Sequence, residues 1–260
     1  MENQVLQGDC LQIMPQIPEN SIDLIVTSPP YANQRANQYG GITEKEYPEW
    51  FTQVAAQMKR ILKPDGNIII NIKENVTKGN RNTYVLKTIL NLTTILNWKD
   101  TYIWNKTNPY PTGSKKRLKD GYEYCYWFTK TQNYQFYPNN VLQPSQNKNL
   151  KHEQNRKNQG KHNTTNGSNM NMSKRYNSDL VRPSNVITMP TDNTNHEHPA
   201  TFPIGLPTFF IKLMTKKGDL VYDPFMGSGT TLLAAKQQNR KYLGTEIVSE
   251  YIEIATERLK

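Results

Sequence analysis

The first segment whose residue types could do chemistry is Thr-Ser-Pro-Pro-Tyr at residues 27–31, which follows the apolar run from Ile22 to Val26. The Ser28 hydroxyl and the Pro29 carbonyl can each accept a hydrogen bond from one proton of an amino group. Accepting both protons draws a planar amine towards tetrahedral geometry and frees its lone pair, while the Tyr31 ring offers a stacking face. A stiff polyproline turn is the simpler interpretation, but it explains neither the apolar strand nor the aromatic residue. The candidate catalytic residues are therefore Ser28, Pro29, Pro30 and Tyr31.

This arrangement would prepare an amine nitrogen to attack a carbon in line, which is largely a matter of positioning the two reactants. It needs no covalent intermediate on the protein, so no catalytic cysteine is expected. Cys10 and Cys125 stand far apart in the chain and are interpreted as ordinary reduced thiols.

A glycine-bearing segment at residues 223–231, Asp-Pro-Phe-Met-Gly-Ser-Gly-Thr-Thr, follows a second run of strand type. Gly227 and Gly229 let a ligand approach the backbone closely, and a helix beginning near Thr230 would aim N–H groups and a partial positive charge at it. The spacing is neither that of a phosphate loop nor that of a dinucleotide-binding loop. The alternative interpretation is a purely structural turn between a strand and a helix.

Two acidic residues near this glycine loop indicate which ligand it binds. Asp223 can accept bonds from an ammonium group, and Glu246 ends the next strand, where an acid accepts both ribose hydroxyls in nucleoside-binding folds. An ammonium, a carboxylate and a ribose together describe S-adenosyl-L-methionine. No metal cofactor is expected, because the four histidines show no metal-site spacing. The cofactor candidates in these segments are Thr27, Asp223, Pro224, Phe225, Gly227, Ser228, Gly229, Thr230, Thr231 and Glu246.

The segments between these motifs predict strands that alternate with helices. Strands are expected before residue 31 and over residues 67–72, 101–104, 122–129, 218–222 and 241–245. Helices are expected over residues 47–62, 83–97, 202–214, 230–238 and 249–259. The turn Lys-Pro-Asp-Gly at 63–66 is expected to end the first of these helices, and residues 32–46 to form a mobile loop. The pattern predicts an α/β fold with a doubly wound, mostly parallel sheet that binds ligands beyond the carboxyl ends of its strands.

The chain of 260 residues carries a net charge of +10, which favours a polyanionic partner over a neutral one. A solvated basic surface is the alternative that charge alone leaves open. No apolar run approaches the length of a membrane span, and the first residues lack a secretory pattern. We therefore expect a cytoplasmic protein with no membrane partner.

Residues 135–195 differ in composition from the rest of the chain. They contain 14 asparagines in 61 positions, and eight lysines or arginines against three acidic residues. Large apolar side chains are so sparse that the stretch cannot bury enough surface to fold firmly alone. A genome rich in A and T would also inflate asparagine and lysine. We expect a target-recognition region here, partly irregular, inserted between two halves of one domain at residues 1–134 and 196–260.

The motifs resemble those of the amino-methyltransferases that modify DNA, in the permuted β arrangement where the Ser-Pro-Pro-Tyr motif precedes the cofactor motif. Gly8-Asp9 resembles the family segment whose acid contacts the cofactor adenine. Residues 198–203, His-Pro-Ala-Thr-Phe-Pro, resemble the segment that contacts methionine, and residues 104–130 resemble the border of the base pocket. The resemblance adds Asp9, His198, Phe202 and Pro203 to the cofactor candidates.

The resemblance implies a Rossmann-like, S-adenosyl-L-methionine-dependent enzyme that flips a base out of duplex DNA and methylates its exocyclic nitrogen. A serine before Pro-Pro is typical of N4-cytosine targets and an acid or amide of N6-adenine, so Ser28 favours cytosine, with adenine as the alternative. A place in a restriction-modification system, with a cognate endonuclease and a monomeric or homodimeric state, is also implied. The candidate DNA contacts are Arg35, Lys115, Lys116, Arg117, Lys148, Lys151, Arg156, Lys157, Lys174 and Arg175.

Two other classes remain open from the sequence. An RNA or protein amide methyltransferase can carry a similar Pro-Pro-Tyr pocket, although such enzymes mostly have the cofactor motif first. A non-catalytic DNA-binding module derived from a methyltransferase is the other, and the intact Ser-Pro-Pro-Tyr segment and Gly227 argue against it.

Overall fold

The computed structural model describes residues 1–33, 41–111, 113, 115–145, 180–191 and 202–260. These residues form two compact units, one of Met1–Tyr137 with Asn185–Lys260 and one of Pro138–Ser184. In the second unit, β8 (Gln143–Pro144) pairs antiparallel with β9 (Leu180–Val181). The domain boundaries and the recognition role expected for residues 135–195 stay predictions.

The first unit is built on an eight-stranded sheet in the order β1-β12-β11-β2-β3-β7-β6-β10. Only β7 runs antiparallel to its neighbours, and the other pairs are parallel. The predicted doubly wound, mostly parallel sheet is therefore confirmed. Its strands are β1 (Gln4–Gln7), β2 (Ile22–Thr27), β3 (Leu62–Ile72), β6 (Asn97–Lys106), β7 (Tyr122–Thr129), β10 (Val186–Met189), β11 (Leu220–Asp223) and β12 (Lys241–Glu246).

Among the described residues, six α-helices connect the strands, and a short hairpin follows β3. The helices are α1 (Cys10–Ile13), α2 (Tyr47–Ile61), α3 (Tyr84–Leu92), α4 (Gly205–Met214), α5 (Thr230–Gln237) and α6 (Ser249–Arg258). The hairpin consists of β4 (Val76–Thr77) and β5 (Asn80–Arg81), joined by Lys78 and Gly79 in left-handed conformations. No helix in the described ranges is long and apolar enough to cross a bilayer.

The start of β3 differs from the sequence-based expectation. The strand begins at Leu62, directly after α2, so the Lys-Pro-Asp-Gly turn expected at residues 63–66 lies within the strand. A side chain at Gly66 would approach the Asp23 carbonyl to 2.9 Å. Glycine thus lets the beginning of β3 run against β2, where the pairing register shifts between Ile22 and Leu24. Local turn propensity is overridden by strand pairing at this position.

The core packs against the central strands of the sheet. Ile25, Ile68 and Ile70 are fully buried in the two central strands, and Phe51 and Met58 of α2 pack in the same cluster. Because the parallel strands share one direction, their carboxyl ends meet at one edge of the sheet. We call this edge the reaction edge; it includes the residues that directly follow Gln7, Thr27, Ile72, Lys106, Asp223 and Glu246.

Candidate active site

One cavity at the reaction edge is lined by residues from both motif segments. Pro30 comes from the Ser-Pro-Pro-Tyr segment after β2, and Pro224 and Phe225 come from the glycine loop after β11. Residues 27 and 223, which begin the two segments, are directly hydrogen-bonded to each other although 196 positions separate them. The other lining residues are Gly8, Asp9, Cys10, Ile42, Trp50, Glu246 and Ile247.

Four of these lining residues were not identified from the sequence. Trp50 belongs to α2, and its ring centroid lies 5.8 Å from that of Phe225. Ile42, Cys10 and Ile247 complete the apolar wall. Trp50 falls within the helix expected over residues 47–62, but no sequence signal distinguished a core position from a cavity wall.

Glu246 is held rigidly at the end of β12 by backbone N–H groups. Its Oε2 accepts a hydrogen bond from Gly227 N at 3.0 Å, and its Oε1 accepts from Ile247 N at 2.9 Å and Val248 N at 3.0 Å. The residue is 3% exposed and lines the cavity. A fixed, buried carboxylate beside an apolar wall fits a nucleoside, with hydroxyls on the acid and a flat ring between aliphatic and aromatic side chains.

Asp223 joins the two motif segments from inside the protein. Its Oδ1 accepts from Thr27 Oγ1 at 2.7 Å and from Phe225 N at 3.0 Å, and its Oδ2 accepts from Thr231 Oγ1 at 2.8 Å. Asp223 is 1% exposed. A direct bond to a ligand ammonium, expected from the sequence, would compete with these three protein donors. The observed bonds instead couple the strand that carries Ser28 to the loop that carries the glycines.

Burial raises the pKa of the Asp223 carboxyl to about 6, against the hydrogen bonds from Thr27 and Thr231, which lower it. An unfolded aspartate titrates near 3.8, so between about pH 4 and pH 6 the folded state binds more protons than the unfolded state. The stability that this group contributes therefore falls as the pH rises through that window.

We expect the free energy of unfolding to depend on pH differently in the wild-type protein and in the Asp223→Asn variant. An amide keeps an acceptor for Thr27 and Phe225 N but does not titrate. The free energy of unfolding of the wild type, relative to that of the variant, should fall by about 2 kcal/mol between pH 4 and pH 7. Urea unfolding of both proteins across this range measures the difference, and a constant difference would contradict the buried, titrating carboxyl.

The remaining glycine-loop residues are fixed mostly by packing. Gly229 has a φ of 79°, and a side chain there would meet Ala255 of α6 at 2.9 Å. The Ser228 and Thr230 hydroxyls lie within 3.0 and 3.2 Å of Arg258 Nη1. These contacts hold the glycine loop against α6. The sequence did not indicate this structural role for Ser228, Gly229 and Thr230.

Asp9 and the residues before α4 occupy the remaining predicted positions. Asp9 caps α1 by accepting a hydrogen bond from Leu11 N at 2.8 Å, and it lines the cavity. Phe202 and Pro203 are partly buried and lie directly before α4. His198, Arg35, Lys148, Lys151, Arg156, Lys157, Lys174 and Arg175 lie outside the described residues.

The Ser-Pro-Pro-Tyr segment is supported by the aromatic core. Tyr31 is partly buried and packs against the core cluster. Burial, with a smaller contribution from the Glu123 carboxylate, raises the pKa of the Tyr31 phenol well above its usual value, so the ring is neutral. The Ala32 carbonyl that follows accepts a hydrogen bond from Asn75 Nδ2 at 3.1 Å. A neutral ring on a fixed backbone suits stacking rather than proton transfer.

The two thiols are not activated. Burial raises the pKa of the Cys10 thiol and also that of the Cys125 thiol, which is more completely buried. Both thiols are therefore protonated at neutral pH. A reactive cysteine requires the opposite shift. This environment agrees with a reaction that forms no bond to a protein sulfur.

Charged side chains form a network at the same edge, beside the Ser-Pro-Pro-Tyr segment. Asp120 lies 2.6 Å from Arg81, 2.9 Å from Arg117 and 3.3 Å from the buried Lys73. Burial acts to raise the pKa of Asp120, but Arg81 and Lys73 outweigh it and hold the pKa below its usual value. Arg117, one of the basic residues predicted to contact DNA, is thus part of this network. Lys115 and Lys116 are exposed in the turn just before it.

Comparison with known proteins identifies relatives of this chain. A family model described as DNA methylase matches residues 22–257. The chain is 31% identical to the type II methyltransferase M.PvuII of Proteus hauseri, over 94% of this chain and 80% of that protein. It is 30% identical to the type II methyltransferase M.BglII of Bacillus subtilis, over 97% of this chain and 68% of that protein.

Solved structures agree with these matches. The PvuII DNA methyltransferase, described as cytosine-N4-specific, superposes with a TM-score of 0.76 at 26% identity, covering 99% of this chain and 86% of that one. The fold is therefore the Rossmann-like fold of S-adenosyl-L-methionine-dependent methyltransferases. A Thermus thermophilus structure complexed with S-adenosyl-L-methionine has the same fold, with a TM-score of 0.65 at 22% identity over 99% of this chain and 93% of that one.

Proposed function

We propose, from the premise that the chain belongs to the DNA methylase family, that it transfers the methyl group of S-adenosyl-L-methionine to the exocyclic N4 of cytosine in duplex DNA. The observation that carries this proposal is a cavity lined both by Pro30 of the Ser-Pro-Pro-Tyr segment and by Pro224 and Phe225 of the glycine loop. The amine acceptors expected at Ser28 and Pro29 directly precede Pro30 in the chain, so a nitrogen and a methyl donor could be brought together at this cavity.

The cofactor fits the cavity by its chemistry. Glu246 would accept the ribose hydroxyls, with its carboxylate already oriented by three backbone N–H groups. Trp50, Phe225 and Ile247 would enclose the adenine, near the acid of Asp9. When bound, S-adenosyl-L-methionine supplies an electrophilic methyl group. The structure of a relative complexed with this molecule supports its use here.

The protein's part of the reaction is to position and polarise the target amine. The Ser28 hydroxyl and the Pro29 carbonyl would each accept one amino proton, which would free the nitrogen lone pair for attack on a methyl donor. Tyr31 would stack on the base and hold its plane. A base inside a duplex cannot enter such a cavity, so the target base must be flipped out first.

Cytosine is proposed as the target because Ser28 stands before the two prolines and because the similar PvuII enzyme is described as cytosine-N4-specific. N6-adenine is the second candidate, since either a hydroxyl or an amide can accept an amino proton. The order of the two motifs supports the permuted β arrangement. Its relatives among type II methyltransferases support a place in a restriction-modification system, with a cognate endonuclease and a monomeric or homodimeric enzyme.

Labelled methyl transfer tests the substrate class. We expect the purified protein to transfer the methyl group of tritiated S-adenosyl-L-methionine to bacterial duplex DNA, and not to total RNA or denatured protein. The rate on DNA should fall steeply with added salt, because a chain of net charge +10 binds phosphates by releasing counterions. Transfer to RNA or protein in preference to DNA would assign the cavity to a different amine.

A further inference from the structure

The most exposed large hydrophobic side chain in the described part of the chain lies at the reaction edge. Leu118 is 89% exposed, whereas the next most exposed, Leu90 and Tyr110, are 63% and 62% exposed. Leu118 stands within the sequence Lys-Lys-Arg-Leu-Lys at residues 115–119, which we call the basic turn. Leu118 is thus a solvated apolar side chain flanked by four cationic residues.

The basic turn is anchored and compact. A side chain at Gly113 would meet Lys119 N at 2.9 Å and the Arg117 carbonyl at 3.0 Å, so the chain folds closely upon itself here. Asp120, directly after the turn, is held by Arg117, Arg81 and Lys73. Leu118 is therefore presented to solvent by a fixed support.

The same contacts connect the basic turn to the Ser-Pro-Pro-Tyr segment. Lys73 directly follows β3, the strand whose Ile70 pairs with Thr27. The Nζ of Lys73 also donates a hydrogen bond to the Tyr122 carbonyl at 2.7 Å. Two residues further on, Asn75 donates to the carbonyl of Ala32, the residue after Tyr31. Asp120 at the end of the basic turn is thus connected, through Lys73 and Asn75, to the residue that follows Tyr31.

Flipping a base leaves an empty place in the duplex, and its neighbours lose stacking on both sides. Proteins that unstack DNA commonly insert an apolar side chain at such a step, flanked by cations that contact the backbone. Leu118 has the required apolar chemistry, the surrounding positive charge and the location.

We propose that Leu118 is a wedge that enters the base stack at the place left by the target base, while Lys115, Lys116 and Lys119 contact the flanking phosphates. This inference rests on the proposed function, because it requires a base to leave the duplex. Leu118 acts on the DNA and not on the transferred methyl group, so it is a positioning residue. The other exposed hydrophobic side chains, such as Leu90 on α3 and Trp98 at the start of β6, lie outside the basic turn.

The test compares Leu118→Ala with the wild type on two duplexes of the sequence that the wild type methylates. In one duplex the target base is paired, and in the other it stands opposite an abasic site and is already loosened. We expect Leu118→Ala to lower kcat/KM by about 10- to 100-fold on the paired duplex and by no more than about threefold on the abasic one. Leu118→Phe should retain most of the activity on both, because it keeps an apolar wedge.

A fluorescence measurement follows the flipping step itself. With pyrrolo-cytosine, a fluorescent cytosine analogue that pairs with guanine, at the target position, the wild type should raise the fluorescence as the base leaves the stack, and Leu118→Ala should reduce that rise. Leu90→Ala is the matched control, since it removes an exposed leucine of α3 and should behave like the wild type in both assays. Thermal unfolding should be unchanged for both variants, because neither side chain is buried.

The outcomes separate this inference from the function it rests on. Equal activity of Leu118→Ala and wild type on the paired duplex would overturn the wedge. An equal loss on the paired and abasic duplexes would also overturn it, because it would assign Leu118 to ordinary binding. A wild type that methylates no DNA at all would instead overturn the proposed function and remove the basis of the wedge.

Discussion

Replacing Tyr31 with alanine is expected to slow methyl transfer to duplex DNA by about 10- to 100-fold, since stacking of a base on an aromatic ring contributes roughly 1–3 kcal/mol. The affinity for S-adenosyl-L-methionine should stay within about a factor of three, because Tyr31 is not among the residues that line the cavity around Glu246. Single-turnover kinetics and calorimetry of the same preparation measure the two effects separately.

Tyr31→Phe is the matched control for this prediction. It keeps the ring face and loses only a hydroxyl that burial holds in its neutral form. We expect it to retain transfer within about threefold of the wild type. Unchanged transfer by Tyr31→Ala would remove the stacking role. A large loss in Tyr31→Phe would show that the hydroxyl, and not the ring, matters.

Replacing Glu246 with alanine is expected to raise the dissociation constant of S-adenosyl-L-methionine by about 100-fold or more, because each charge-assisted hydrogen bond contributes roughly 1.5–3 kcal/mol. The change also leaves three backbone donors, those of Gly227, Ile247 and Val248, without their carboxylate acceptor. Both effects loosen the glycine loop and the nucleoside site together. Calorimetric titration measures the binding.

Two comparisons make this result interpretable. Glu253→Ala removes an exposed carboxylate of α6 and should bind the cofactor like the wild type. Glu246→Gln keeps one carbonyl acceptor and should fall between the wild type and Glu246→Ala. Wild-type affinity in a folded Glu246→Ala protein, checked by thermal unfolding, would contradict the placement of the nucleoside beside this residue.

The sequence predicted the elements that determine the site because their patterns are local. The apolar runs before Thr27 and Asp223 were identified as strands, and the structure places both in the centre of the sheet. Alternation of strands and helices then predicted a parallel sheet whose strands end at one edge. This was enough to bring Glu246 and the glycine loop together without knowledge of any contact.

The contacts that complete the site are not local and could not be predicted in this way. The hydrogen bond between Thr27 and Asp223 joins residues 196 positions apart, and it gives Asp223 an internal connection that the sequence did not indicate. Trp50 lines the cavity only because α2 packs beside Phe225. The connection between Asp120 and Lys73 joins segments that lie 47 positions apart in the numbering and depends on the antiparallel strand β7.

The hairpin after β3 could not be predicted from the sequence for a different reason. Lys78 and Gly79 occupy left-handed conformations in a two-residue turn, but lysine is an uncommon residue at such a position. The sequence therefore carried little turn signal, and its two strands are only two residues long. Their place beside Ala32 follows from tertiary hydrogen bonds such as that of Asn75.

Mass analysis of the nucleosides from DNA methylated by the purified protein tests the central claim most directly. Duplex DNA from a host without modification enzymes would be incubated with S-adenosyl-L-methionine carrying a deuterated methyl group, and then digested to nucleosides. The two segments that share one cavity predict the label in N4-methylcytosine. Label in N6-methyladenine alone would contradict the cytosine assignment, and DNA without any N-methylated base would contradict the account of the cavity.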